Sequence, residues 1–131
     1  KTSGFGSSLD LASLDGTNGF ALTGIATGDN AGFAVSSVGD LNGDGFDDLV
    51  VGAIFADGTA GASYVVFGSG AGFAPSLDLA SLDGTTGFRI GGIDAGDQAG
   101  FAVSSAGDLN GDGFDDLVIG AREAGDDDAD L

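Results

Sequence analysis

Asp40-Leu-Asn-Gly-Asp-Gly-Phe-Asp-Asp-Leu-Val50 recurs without a change as Asp108 to Val118. A second block, Ser8-Leu-Asp-Leu-Ala-Ser-Leu-Asp-Gly-Thr17, recurs as Ser76 to Thr85. Both offsets are 68 residues (108 − 40 and 76 − 8), so the two blocks share one register. With scattered substitutions the match runs from Gly4–Ala56 to Gly72–Ala124. A fixed period of this kind is the mark of a repeat architecture and sets the frame for every other reading.

Within the first block, oxygen-bearing side chains fall at loop positions 1, 3, 5 and 9: Asp40, Asn42, Asp44 and Asp48. Gly45 at position 6 can take the positive φ that folds the loop back on itself. The carbonyl of Phe46 at position 7 would join the same hollow. The second copy supplies Asp108, Asn110, Asp112, Phe114 and Asp116, with Gly113 at the bend. Five convergent oxygens suit a hard cation. Ca²⁺ accepts six to eight oxygen ligands in irregular geometry, whereas Mg²⁺ demands a near-ideal octahedron, so two Ca²⁺ sites are expected.

The alternative is an ordinary solvated turn, since Asp-Gly and Asn-Gly are common hairpin residues. A plain turn needs two residues, not four oxygen donors at odd spacing twice over. Two like charges ~4 Å apart at an effective dielectric of ~20 cost ~4 kcal/mol, which a cation between them offsets. An EF-hand loop starts in the same way but ends on a bidentate Glu at position 12. Here that position is Val51 or Ile119, so the loop should join two strands. Asp47 and Asp115, at position 8, are expected to face solvent.

Helix has little room. The longest run without Gly is Phe73–Asp83, and it contains the single proline, Pro75. Interior Gly costs ~1 kcal/mol relative to Ala in a helix. A single helical turn fits at Leu11–Leu14 and at Leu79–Leu82. Short apolar or alternating runs predict four strands per repeat: Phe33–Ser37, Asp48–Ala53, Ser63–Phe67 and Phe88–Ile93. Phe20-Ala-Leu22 alternates as Phe88-Arg-Ile90 does. The expected fold class is all-β, with four-stranded antiparallel sheets as β-propeller blades, about two of them in a larger or assembled array. A β-solenoid or stacked sandwich is the rival, although a solenoid coil usually takes ~20–30 residues. The expected division is residues 1–31 as the end of one repeat, 32–99 as a full repeat, and 100–131 as the start of the next, stopping before its third strand.

Composition narrows function. Asp+Glu number 21 against 3 Lys+Arg, for a formal charge of −18. A nucleic-acid binder needs a basic face, so that class is excluded. Anionic lipid is an equally poor partner, and no apolar run approaches the ~18–20 residues of a membrane-spanning helix. Cys, His, Met and Trp are absent, which removes thiol chemistry, imidazole catalysis and Cys/His zinc sites. Yet 42% of residues are hydrophobic and the mean hydropathy is positive, so the chain has the means to fold. Lys1, Arg89 and Arg122 are expected as surface charges. The terminal run Asp126–Asp130 reads as a solvated loop or a further weak cation site, and Leu9, Leu11 and Leu14 read as packing beneath a loop.

Asp-x-Asn-x-Asp-Gly-x-x-Asp followed by Leu-Val-Val-Gly-Ala, with Gly-Phe-Ala-Val-Ser upstream, resembles the FG-GAP repeat of integrin α-chain β-propellers and their bacterial relatives. That resemblance implies calcium in the hairpin between a blade's first and second strands, and usually seven blades in a closed ring. The family's Phe-Gly position reads Phe33-Ala34 and Phe101-Ala102 here. Its Gly-Ala-Pro position reads Gly52-Ala53-Ile54 and Gly120-Ala121-Arg122. These departures leave the ligand positions intact.

The expected function is a calcium-stabilised, non-catalytic propeller segment, extracellular or on a cell surface, for adhesion or scaffolding. Extracellular modules bind Ca²⁺ at ~10⁻⁴–10⁻³ M, a level met outside cells. Partners are other proteins or further repeats through strand edges, with neither nucleic acid nor membrane insertion. A homo-oligomeric ring or filament built by strand-edge pairing is the first alternative. The second is an accessory propeller domain of a secreted hydrolase.

Overall fold

Strands form where apolar or alternating runs are bounded by Gly- and Asp-rich turns. The computed structural model describes residues 4–125. Its strands are β1 (Ala21–Thr23), β2 (Ala31–Gly39), β3 (Asp48–Ala53), β4 (Ala62–Val66), β5 (Ser76–Asp78), β6 (Gly87–Gly91), β7 (Ala99–Gly107) and β8 (Asp116–Ala121). Single 3₁₀ turns lie at Leu11–Ser13 and Leu79–Ser81. Each is capped by the preceding carboxylate, Asp10 accepting from Ala12 N and Asp78 from Ala80 N, both at 2.9 Å. Between β3 and β4 a short turn, Ala56–Thr59, puts Asp57 and Gly58 in the left-handed region.

Strands β2-β3-β4-β6 form one antiparallel sheet in that order. This is the β-propeller-type blade expected from the four predicted runs. The first strand extends two residues beyond the expected run at each end. The last is assigned only to Gly91, although Gly92 N still donates to Gly61 O at 2.7 Å, and Ile93 beyond it is exposed. Strands β7 and β8 open a second blade with the register of β2 and β3. Bulges recur at equivalent places, between Ala31 and Ala34 and between Ala99 and Ala102.

The sheet's alternation gives it two apolar faces. Leu49↔Val66, Val51↔Tyr64 and Ala53↔Ala62 pair on one face, where Leu79 and the partly buried Leu22, Leu77 and Leu82 close over them. Val50↔Val65 pair on the other, covered by Val103 and Leu117 of the second blade. The blades approach closely where side chains are missing: a Cβ on Gly52 would lie 2.2 Å from Gly100 O. Phe33 and Phe101, at the Phe-Gly positions of the two repeats, meet with ring centroids 5.2 Å apart.

One pairing escapes sequence reading. Strand β1 runs parallel to β5, with Leu22 opposite Leu77, whereas its copy β6 pairs antiparallel with β4. Three residues at Ser76–Asp78 are too short a run for alternation to declare a strand. Of the expected surface charges, Lys1 lies outside the described residues, as does the run Asp126–Asp130. Arg89 pairs with Asp57 and sits 6.0 Å from the centroid of the Tyr64 ring. Arg122 pairs with Glu123 at 3.0 Å.

Candidate functional site

The two acidic loops occupy equivalent hairpins, the first between β2 and β3 and the second between β7 and β8. Each is wound around its first carboxylate. Asp40 Oδ1 accepts from Gly43 N (2.7 Å) and Asp44 N (3.0 Å), and Oδ2 accepts from Gly45 N (2.8 Å). Asp108 repeats this with Gly111, Asp112 and Gly113 at 2.8, 3.1 and 2.9 Å. Such donors favour the charged carboxyl, and Asp108 is held below the usual carboxylate range mainly by the Gly113 N–H. The curl depends on Gly45 (φ 88°) and Gly113 (φ 89°), in open space where only the backbone angle selects glycine.

Position 3 bonds to position 5. Asn42 Oδ1 accepts from Asp44 N at 3.1 Å while Asn42 Nδ2 donates to Asp44 Oδ2 at 3.1 Å. Asp44 Oδ1 accepts from Phe46 N (2.9 Å), and Asp112 Oδ1 accepts from Phe114 N (3.0 Å). Asn110 Oδ1 accepts from Asp112 N at 3.2 Å.

Position 9 anchors the loop to the blade. Asp48 is buried, its Oδ2 accepting from Leu41 N (2.8 Å) and Oδ1 from Gly68 N (2.9 Å). Burial pushes its pKa up against those two N–H bonds, and the charges of Asp44 and Asp40 push the same way. Asp116 accepts from Leu109 N at 2.7 Å.

Eight of the ten expected residues lie on the two curled loops, and Asp48 and Asp116 are the first residues of β3 and β8. Among the described residues no three acidic side chains close on one point; each carboxylate is turned toward backbone N–H groups. The donor set fits a hard divalent cation. It offers carboxylate and amide oxygens, and the chain contains no Cys, His or Met to favour a softer ion.

One expectation is corrected. Asp115 does not face solvent: it is half-buried, and its Oδ2 accepts from Asp40 N of the other loop at 2.9 Å. Asp47 is exposed as expected. The difference arises from blade stacking, which puts the first loop beside Asp115. The identical repeats gave position 8 one reading in both copies, and no local signal separates them. Beside the first loop lies a cavity of about 340 Å³ bordered by Asp44, Phe67, Phe73, Leu77 and Thr86.

Comparison with known proteins agrees with this geometry. The family model described as FG-GAP repeat matches residues 31–66 and 99–131. Integrin alpha-PS5 of Drosophila melanogaster is 37% identical over 100 residues, covering 76% of this chain and 10% of that protein. Integrin alpha-5 of Xenopus laevis is 30% identical over 110 residues, 82% of this chain and 10% of its own length. Human integrin alpha-7 is 36% identical over 104 residues, 73% and 8% respectively. The chain therefore spans about a tenth of these relatives. With two matched copies on two equivalent β-hairpins, the chain belongs to the FG-GAP repeat family and is of the integrin α type.

Proposed function

We propose that this chain is a calcium-stabilised, non-catalytic propeller segment serving adhesion or scaffolding outside the cell. Each loop would hold one Ca²⁺, through Asp40, Asn42, Asp44, the Phe46 carbonyl and Asp48 in the first. Asp108, Asn110, Asp112, the Phe114 carbonyl and Asp116 would serve in the second. The observation that carries this is the pair of identical oxygen-rich loops on equivalent hairpins, each curled around its first carboxylate. Residues 32–99 make the full repeat in this reading, with 1–31 and 100–131 belonging to its neighbours.

A cation would offset the burial of the Asp48 carboxylate and the neighbouring charges of Asp44 and Asp40, which together push its pKa up. It would also hold the β2–β3 and β7–β8 connections closed. At free calcium 100 times Kd, each site adds about 2.7 kcal/mol of stability. Thermal unfolding in millimolar Ca²⁺ and in excess EDTA tests this. A fall in Tm of about 10 °C or more on chelation is expected, at several degrees per kcal/mol for a chain of this size. Superimposable melting curves, with no heat of calcium binding, would overturn it.

A second reading, self-assembly, is favoured by two surfaces. Strand β8 pairs with β7 alone among the described residues, whereas its copy β3 is paired on both sides. The outer face of the first blade carries an open apolar groove along Leu22, Val35, Leu49 and Val51. Strand addition at the β8 edge would make a homo-oligomer. Light scattering across a concentration series separates the two readings, since a monomer at every concentration removes the second.

A further inference from the structure

The second loop grips the first. Asp115 Oδ2 accepts from Asp40 N at 2.9 Å, and Asp115 N donates to Asp40 O at 3.1 Å, so one residue closes both backbone groups of the first loop's opening ligand. The fit is close. A Cβ on Gly39 would lie 2.0 Å from Asp115 Oδ2, and a Cβ on Gly43 would lie 2.4 Å from Phe114 Cε1. The same two glycines in the second loop, Gly107 and Gly111, have nothing within 4 Å. Gly39 and Gly43 therefore form an occupied socket for the Phe114-Asp115 pair, beyond what their positive φ alone requires.

Residues of the second loop thus face two ways. In the proposed function, the Phe114 carbonyl and the Asp116 side chain turn to the loop's own ion. Between them, the Asp115 side chain is held on the backbone of Asp40. We propose that Asp115 is a positioning residue that couples the two loops, so that ordering of the second by its cation raises the affinity of the first. This rests on the calcium reading of both loops. Coupling of this kind is reciprocal, and is commonly worth about 5- to 150-fold in affinity.

Asp47 provides an internal control. It occupies the same position in the first loop, carries the same charge beside it, and is exposed with no partner among the described residues. The experiment is calcium titration of the 131-residue chain followed by amide NMR, with Gly45 and Gly113 reporting the two loops separately. Hydrogen exchange at the Asp40 amide without calcium is measured in parallel. D115A is expected to weaken calcium binding at the Gly45 loop by about fivefold or more and to speed exchange at Asp40. D115N keeps an acceptor oxygen and should stay within about twofold of wild type, as should D47A.

Equal weakening by D115A and D47A would mean that lost charge is the cause and would overturn the coupling. So would an unchanged Gly45 titration in D115A, with calcium binding itself intact. If neither glycine of the wild type responds to calcium, the calcium reading falls and the coupling with it. Exchange at Asp40 then still shows whether the grip exists as a structural contact.

Discussion

The block Ser-Leu-Asp-Leu-Ala-Ser-Leu-Asp-Gly-Thr appears twice with one sequence and two fates. Leu11 of the first copy is 77% exposed; Leu79 of the second is 2% exposed. Both follow an Asp that caps the same 3₁₀ turn, with nearly the same backbone angles at the cap. The capped turn is therefore the same in both copies and the burial of its leucine is opposite. Leu79 is covered because Val51, Tyr64 and Val66 of the first blade lie beneath it. Val50 and Val118 show the same contrast across the sheet, at 0% and 53% exposed, since the second blade covers Val50 alone. In a repeat protein the local conformation comes from the unit and burial comes from the neighbour.

Mutation of the two copies tests this directly. Leu79→Ala should destabilise by about 2–5 kcal/mol, the cost of a buried leucine truncation, whereas Leu11→Ala should stay within about 0.5 kcal/mol. Urea unfolding of the two variants would measure both, and equal costs would break the comparison. Val50→Ala should cost about 2 kcal/mol, from ~0.8 kcal/mol per buried methylene-sized group, and Val118→Ala much less. A comparable loss at Val118 would show that its face is covered by a second molecule in solution, which dilution would then reverse.

The smallest expected difference is electrostatic. Asp83 accepts from the N–H and hydroxyl groups of Thr85 and Thr86, all within 3.1 Å. Its copy Asp15 accepts from Thr17 N, Thr17 Oγ1 and Asn18 N, with no hydroxyl at Asn18. Both pKa values are lowered, first by the threonine hydroxyl at Thr85 or Thr17, and that of Asp83 falls below the usual carboxylate range. An acid with a lowered folded pKa adds stability above its unfolded value, near ~3.9, and loses it as pH falls through the folded value. Stability should therefore fall as pH drops below about 4, and the fall should be shallower in Asp83→Asn than in Asp15→Asn. Urea midpoints measured from pH 5 to pH 2 would show it; parallel curves for the two variants would remove the distinction.

Reading the sequence succeeded where one repeat contains its own explanation. The strands β2, β3, β4 and β6 follow from short apolar runs between glycine-rich turns, and both helical turns were located within a residue. The bend at Gly45 and Gly113 was likewise legible, because it needs a positive φ; the bonds that turn Asp40 and Asp108 onto glycine N–H groups three and five residues on were not. The parallel β1–β5 pair was not, since three residues carry no usable period and the partner is 55 positions away at Ala21↔Ser76. Nor was the exposure of Leu9 and Leu11, expected to pack beneath a loop.

The sequence alone determined the repeat unit, its all-β character and the positions of the oxygen donors, because each depends on spacing within a few residues. Only the tertiary structure decided which copy of each identical residue is buried, and that Asp115 reaches the other loop while Asp47 meets water. Those outcomes depend on what stacks against a blade, and two identical segments hold no information about which of them has a neighbour.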